Sequence, residues 1–218
     1  MTNDVRAGAQ PTQDRDGIVL DLASAVREVG ESLVLTGVGS TDLVAAAEYL
    51  RAATAVLARV RRDNRESSDF DTVEGRIFAC VSGAANPVSP PLLLRETEDG
   101  VEGRCRLGAQ YEGPRTFAHG GVSAMLMDEI MARVPEMVGK TRVTRSLEVA
   151  YHRPVPLGVD LLLVAQCVSL GEREYQVRGR LAIEDLPDQP LVTGEACFVL
   201  LSPEQAARWL PVGESWRE

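Results

Sequence analysis

The stretch from Ala118 to Glu129 combines residue types that can act on a carbonyl group. A His-Gly-Gly loop at residues 119–121 leads directly into an apolar helical pattern. A helix start presents unpaired N–H groups and the positive end of the helix dipole, and glycines let a substrate approach that backbone closely. Such a place can hold a carbonyl oxygen that becomes negative during acyl transfer. The alternative interpretation of the Gly-Gly pair alone is a tight turn.

Asp128 favours a site over a simple turn. It shares a helical stripe with apolar residues, where an ionised carboxylate is costly unless it has a partner or a task. Glu129 lies about 100° away around the helix axis, on what we interpret as a solvated face. Gly120 and Asp128 are separated by about 12 Å at a rise of ~1.5 Å per residue. If both act on one carbon atom, we expect the amide from one subunit and the carboxylate from another, as in a two-fold dimer with antiparallel facing helices.

The elements that must position these residues form an α+β pattern. An Asp-Gly pair at residues 99–100 predicts a hairpin before the central helix, which runs from Gly120 to about residue 134. Consecutive strand-like runs after the helix predict an antiparallel meander, so one helix has to be wrapped by one sheet. The predicted strands are residues 76–82, 92–96, 103–109, 142–151, 160–169, 174–184 and 191–201, and a short helix follows Ser202.

The chain divides into three predicted regions. Residues 1–17 are polar, without the apolar run of a signal peptide, and we expect a disordered tail. Residues 18–70 form a helical extension, with one helix interrupted at Gly30 and a clearer one after Ser40. Residues 71–218 form the domain of sheet and central helix.

Composition excludes several classes of protein. The 218 residues are 44% hydrophobic with a net charge of −9, whereas a nucleic-acid protein needs a basic face for phosphate contacts. Four cysteines without C-x-x-C spacing and only two histidines argue against a metal site, and reduced thiols indicate a cytoplasmic chain. No window approaches the ~18 consecutive apolar residues of a transmembrane helix, so we expect no membrane association.

Three motifs together resemble a known family. They are Tyr111-Glu112-Gly113-Pro114, the His-Gly-Gly loop with an Asp nine residues after its histidine, and Tyr151-His152-Arg153-Pro154-Val155-Pro156-Leu157. In order and spacing they are similar to the hotdog-fold acyl-CoA thioesterases of the phenylacetate-type (PaaI-like) group, especially the branch of human thioesterase superfamily member 4. The resemblance covers roughly residues 101–201. It implies a hotdog fold and a homodimer or dimer of dimers that hydrolyses acyl-CoA, with no cofactor besides the CoA of its substrate.

The resemblance also implies roles for particular residues. Gly120 would polarise the thioester carbonyl through its backbone N–H, and His119 would hold the loop. Asp128 would act as general base for water or as a nucleophile. Thr144, seven positions before Tyr151, would help to place that water.

Contacts to substrate are assigned beside these roles. Gly121 lies in the same loop as Gly120, where backbone and substrate approach each other. For the phosphate-rich end of CoA we assign three side chains, for which the alternative is ordinary surface charge: His152, Arg153 and Arg173. An asparagine that some relatives carry shortly before the His-Gly-Gly loop has no counterpart between Tyr111 and Ala118.

Two other functions stay open at this point. One is a regulatory module that binds acyl-CoA in a hotdog pocket without turnover; retention of both the loop and Asp128 argues against it. The other is hotdog hydratase or dehydratase chemistry on an acyl thioester. That chemistry pairs an acid with a histidine near the helix start, and His119, the one nearby histidine, is already part of the loop.

Overall fold

Six antiparallel strands and one long helix form the centre of the molecule. The computed structural model describes residues 15–60, 77–90, 92–135 and 141–210. Most of the predicted tail and the predicted boundary at residues 70–71 lie outside these ranges. The helices are α1 (Arg15–Leu35), α2 (Ser40–Leu57), α3 (Gly120–Met131) and α4 (Pro203–Trp209), and a 3₁₀ turn covers Ala109–Tyr111. The strands are β1 (Leu93–Thr97), β2 (Gly100–Arg106), β3 (Arg142–Tyr151), β4 (Asp160–Leu170), β5 (Glu174–Ile183) and β6 (Val192–Leu200).

The sheet has the order β1-β2-β4-β5-β6-β3. The hairpin predicted from Asp99-Gly100 is confirmed: β1 and β2 pair antiparallel, and a Cβ at residue 100 would lie 2.1 Å from the Ala165 carbonyl oxygen. The simple meander is wrong for β3, which pairs with β6, while β4 pairs with β2. The chain leaves β2, passes through α3 against the sheet, and re-enters the sheet at its opposite edge. Of the four strands after α3, only β4, β5 and β6 follow one another as neighbours.

The core lies between α3 and the sheet. Met127 and Met131 of the helix are fully buried, together with Leu126 and Ile130. Gly179 of β5 and Gly194 of β6 face each other in register, and a Cβ at either would come within about 3 Å of the two methionine side chains. The paired glycines therefore let α3 pack directly on the strands.

Two predictions about local structure are wrong. The strand predicted at residues 76–82 is absent from its described part, because residues 77–90 form successive turns held by their own hydrogen bonds. Gly83 N–H donates to the Ala79 carbonyl at 3.0 Å, and the buried Ser89 hydroxyl donates to the Val81 carbonyl at 2.6 Å. The interruption predicted at Gly30 is also absent, since α1 continues through it to Leu35. A single glycine costs a helix only about 1 kcal/mol relative to alanine.

The two N-terminal helices differ in how they contact the rest of the chain. Helix α1 buries Ala23, and its Arg27 guanidinium donates to the carbonyls of Ala84 and Asn86, both at 3.1 Å. Helix α2 buries no residue. Within the described ranges, no helix has the length and apolar character needed to cross a bilayer.

Candidate active site

His119 organises the start of α3. Its backbone N–H donates to the Tyr111 carbonyl at 2.9 Å, which ties the loop to the 3₁₀ turn. Its side-chain Nδ1 accepts the Gly121 N–H at 3.0 Å, and its carbonyl accepts the Val122 N–H at 2.9 Å and the Ser123 N–H at 3.4 Å. Because Nδ1 accepts, the proton of the neutral ring is on Nε2. His119 is thus the N-cap of the helix through both its side chain and its backbone.

The backbone N–H of Gly120 has no hydrogen-bond acceptor in this arrangement of the described residues. Of the first four N–H groups of α3, those of residues 121–123 are satisfied by His119, whereas the Gly120 N–H meets no acceptor among the described residues. It sits at the positive end of the helix dipole. A free, oriented N–H at this position can donate a hydrogen bond to a developing oxyanion.

Tyr151 encloses the other side of Gly120. Its hydroxyl donates to the Gly120 carbonyl at 3.0 Å. Its ring would lie 3.5 Å from a Cβ at Gly120, which is ordinary van der Waals contact. The sequence analysis used this tyrosine only to locate Thr144 and gave it no role. Its position at the last residue of a strand predicted to face the helix was the available signal.

The loop before His119 is tightly closed. A Cβ at Gly113 would lie 2.7 Å from the Cα of His119, so only glycine lets the two backbones approach this closely. Thr116 adopts a positive φ of 69°, and its N–H donates to the Glu112 carboxylate at 2.7 Å. The Tyr-Glu-Gly-Pro motif therefore has a local structural function, which is to fix the His-Gly-Gly loop against the 3₁₀ turn.

Asp128 lies at the other end of α3. It is half-buried, and its carboxylate accepts a hydrogen bond from the Thr144 hydroxyl at 3.0 Å. Burial raises the pKa of Asp128, the Thr144 hydrogen bond lowers it, and the neighbouring Glu129 charge raises it; the net direction is upward. The predicted proximity of Asp128 and Thr144 is thus present in one chain.

Glu129 is held in a different way from its neighbour. Its carboxylate accepts hydrogen bonds from the Ser82 hydroxyl at 2.6 Å and from Arg133 Nε at 2.7 Å. The expectation of a solvated face is wrong, since both partners of the ion pair expose less than a fifth of their side chains. Glu129 therefore joins α3 to the turns at residues 77–90, and Asp128 is the carboxylate with room for a reaction.

A β-bulge explains how Thr144 reaches Asp128. The register of β3 against β6 shifts between Thr144 and Ser146, so Arg145 is the extra residue. Strict alternation along residues 142–151 predicts Thr144 on the face opposite Leu147 and Val149. The bulge inverts the alternation, and Thr144 contacts α3 on the same side as these two core-packed residues. The regular alternation of side chains in a strand, counted from the sequence, does not show that Arg145 is an extra residue.

The predicted substrate contacts are distributed over both ends of α3. His152 and Arg153 follow Tyr151 at the Gly120 end, where the His152 ring lies 2.8 Å from Thr193 Oγ1 and Arg153 donates to Gln189 at 3.1 Å. Arg173 lies at the Asp128 end: its carbonyl accepts the Leu200 N–H at 2.8 Å, and Leu200 pairs with Arg142 at the start of β3. One chain therefore does not bring all of these residues together.

Known proteins resemble this chain in the region of the site. Residues 116–187 match the model of the Thioesterase superfamily. The human protein named acyl-coenzyme A thioesterase THEM5 is 34% identical over 94 residues, which are 43% of this chain and 37% of the human protein. The chain thus matches little more than a third of that relative's length.

A solved structure extends the likeness over most of the chain. A crystal structure described as a thioesterase superfamily protein superposes with a TM-score of 0.73 at 29% identity, covering 88% of this chain and 93% of the other. The domain from residue 77 to residue 210 makes up less than two thirds of the sequence, so this superposition extends into the N-terminal helices. The matches confirm the predicted likeness to thioesterase-superfamily proteins and the predicted hotdog fold.

Proposed function

We propose that this chain, which carries the fold and sequence signature of the thioesterase superfamily, hydrolyses an acyl-CoA thioester to a free acid and CoA. The observation that carries the proposal is the free Gly120 N–H at the start of the helix whose other end carries the half-buried Asp128. An oxyanion donor and a carboxylate with a raised pKa are the two groups that acyl transfer to water requires.

The proposed reaction uses these groups in sequence. The Gly120 N–H donates to the thioester carbonyl oxygen and stabilises the negative charge that develops there. Asp128 takes a proton from water, whose oxygen forms the new bond to the carbonyl carbon, and the Thr144 hydroxyl orients that water. The C–S bond then breaks, and the proton returns from Asp128 to the CoA thiolate. In a second version, the carboxylate attacks the carbon directly and the C–S bond breaks, which releases CoA as its thiolate. Water then hydrolyses the resulting mixed anhydride to the free acid and regenerates Asp128, and a proton from this water neutralises the thiolate.

The site is proposed to form between two chains. Gly120 and Asp128 are eight residues apart in one continuous helix, or about 12 Å, so one carbonyl carbon cannot contact both groups of one chain. A two-fold axis that sets two α3 helices antiparallel would bring Gly120 of one chain to Asp128 of the other. The assembly is then a homodimer, or a dimer of such dimers.

This arrangement also assigns the CoA contacts. His152 and Arg153 of one chain would lie beside Gly120, and Arg173 of the other chain beside Asp128, so the three side chains contribute to one site from two subunits. The Gly121 N–H is already bonded to His119, so its contribution to substrate binding would be the absence of a side chain. We propose no resident cofactor and a cytoplasmic location, both of which rest on the sequence.

The experiment that tests this function is thiol release from a panel of acyl-CoA substrates, measured with a thiol reagent. The wild-type chain should release CoA from at least one class of acyl-CoA. Asp128→Asn should lower kcat by about 10³-fold or more, because general-base catalysis alone contributes ~10²–10⁴. A folded Asp128→Asn variant with a wild-type rate would contradict the assignment.

The same panel separates the two rival functions. A binding module would bind acyl-CoA, measured by titration calorimetry, without any thiol release. A hydratase would change the absorbance of an enoyl-CoA while the thioester stayed intact. Neither rival is supported by a specific contact in the structure, since His119 is engaged in capping α3.

A further inference from the structure

The N-terminal helices carry apolar side chains that one chain leaves exposed. Five apolar residues of α1 recur at helical spacing and are each 39–61% exposed: Ile18, Leu22, Val26, Val29 and Leu33. On α2 the leucines at positions 43, 50 and 57 recur every seven residues and are 40–56% exposed, with alanines at positions 46, 47 and 53 between them. We call these eight larger apolar residues the arm stripes. Each stripe has the three-four spacing of a helix that packs on another helix.

These stripes are distinct from the face by which α1 contacts its own domain. That face consists of Ala23, Arg27 and Glu31, which contact residues 84–86 and the Ala109 N–H. Ala23 lies about 100° around the helix axis from Leu22, so α1 is anchored along one side while the adjacent side stays uncovered. Helix α2 has 18 residues and none of them is buried. In proteins most of the stability of a helix comes from packing of its apolar face against other elements.

We infer that the α1–α2 arm of one chain packs against the α1–α2 arm of a second copy. A two-fold axis requires one surface to be complementary to itself, and the α2 stripe, which alternates leucine with alanine, meets this requirement. Leucine side chains of one helix fit over alanine positions of the other, as in knobs-into-holes packing.

The exposed area is that of a stable interface. A fully buried aliphatic side chain removes about 60–120 Å² of apolar surface from water, so eight half-exposed residues provide on the order of 400 Å² per chain. Two arms together provide about 800 Å². Because roughly 60% of interface area is apolar, the whole contact would bury about 1,300 Å², within the range of specific protein interfaces.

A second argument rests on the proposed function. The two half-sites on α3 already require another copy of this chain, so the arms would contact a partner that is present whenever the protein is active. The arm is fixed next to the active-site loop, because the Ala109 N–H that Glu31 accepts belongs to the same 3₁₀ turn as Tyr111, the backbone partner of His119. Arm contact would therefore stabilise the assembly in which the site is complete.

Photo-crosslinking of the full chain tests the contact. Benzoylphenylalanine is placed at Leu50, on the α2 stripe, or at Ala52, on the opposite side of the same helix as a matched control. Irradiation of the Leu50 variant should give a covalent dimer whose cross-linked peptides lie within residues 15–57 of the second chain, with at least tenfold less from the Ala52 variant. Cross-links to the same chain, to the sheet domain or to no protein, or equal yields from both positions, would overturn the inference.

Sedimentation velocity over a dilution series gives an independent measurement. Leu50→Glu with Leu57→Glu should raise the dissociation constant of the assembly at least 100-fold. The control pair Ala45→Glu with Ala52→Glu, which adds the same charge to the opposite side, should change it less than threefold. Equal effects would overturn the inference. Wild-type thiol release is measured in parallel, so failure of the thioesterase assignment is seen separately from failure of arm contact.

Discussion

The two ends of α3 carry different kinds of functional group. At the Gly120 end the functional group is a backbone N–H, placed by a histidine cap, a closed loop and a tyrosine ring, with no titrating group required. At the Asp128 end the functional group is a side-chain carboxylate, half-buried and supported by one hydroxyl from the edge strand. The histidine cap at the first end is fixed by local sequence, whereas the hydroxyl that supports Asp128 comes from a strand 16 residues away whose register is shifted by a bulge.

This difference has an energetic consequence. The N–H at a helix start is unsatisfied in any helix, so leaving it free for a substrate adds little cost to folding. An ionised carboxylate that is partly buried does carry a cost, and its raised pKa expresses that cost. We therefore expect substitutions at the Gly120 end to affect rate with little change in stability, and substitutions at the Asp128 end to affect both.

The largest expected effect comes from combining one defect at each end. Gly120→Pro and Asp128→Asn should each have less than about 1% of wild-type activity alone. Mixed in equal amounts and reassembled, they should recover about a quarter of the wild-type sites, because half of the randomly paired dimers are mixed and each mixed dimer has one intact site. Thiol release before and after mixing measures this. No recovery, despite verified subunit exchange, would place both groups of a site in one chain.

Two substitutions of Gly120 distinguish the role of its backbone N–H from the role of its missing side chain. Gly120→Pro removes the N–H at the first helical position, where proline is accepted, and the φ of −62° and ψ of 135° at His119 suit a residue before proline. The expected loss in kcat is about 10²–10³-fold, as for other oxyanion donors. Gly120→Ala keeps the N–H and adds a Cβ in ordinary contact with Tyr151, so it should retain most activity. Equal losses would point to packing instead.

At the Asp128 end, Thr144→Val should change the pH dependence of the rate. The threonine hydroxyl lowers the pKa of Asp128, so its removal raises that pKa further and leaves more of the carboxylate protonated at acidic pH. The acid limb of the kcat profile should move to higher pH, with a loss of roughly several-fold that is greatest at low pH. Thr144→Ser keeps the hydroxyl and should follow the wild-type profile. A uniform loss at all pH values would indicate a role for Thr144 only in placing water.

The smallest expected effect is that of Asp128→Asn on thermal stability. Burial raises the pKa of folded Asp128 above the 3.8 of an ordinary aspartate, so the folded state binds the proton more tightly than the unfolded state. Its contribution to stability is complete below pH 3.8 and is lost as the pH rises through the raised pKa. Asp128→Asn should therefore raise the thermal midpoint at pH 7 by on the order of 2 °C.

A matched measurement on the neighbouring carboxylate, Glu129, sharpens this stability comparison. The gain from Asp128→Asn should shrink as the pH falls and the wild-type carboxylate becomes protonated. Glu129→Gln should lower the midpoint instead, because it weakens the ion pair with Arg133 and the hydrogen bond from Ser82. A stabilising Glu129→Gln would show that the two neighbouring acids are equivalent.

The bounds of those strands and helices that depend on short-range sequence patterns were predicted from the sequence. The strand bounds at residues 142–151 were predicted without error, and those of the next three strands to within one residue at each end, because alternation and turn residues are short-range signals. The start of α3 was predicted for the same reason. The pairing of β3 with β6 was not predicted. The position of a strand in the sheet depends on the path of the chain through α3, and the alternation of side chains within the strand carries no information about that path.

The sequence by itself determined the His-Gly-Gly helix start, the separation of Gly120 from Asp128 along one helix, and the family resemblance that the comparisons confirm. These depend on residue order and on the fixed rise of a helix. Only the tertiary structure decided that Thr144 contacts Asp128, that Glu129 is bound by Arg133 and Ser82, and that the Gly120 N–H stays free beside Tyr151. Apart from the Glu129–Arg133 pair within α3, these contacts join residues 16 to 47 positions apart, and a bulge, a turn and a strand end set them through packing that no local pattern encodes.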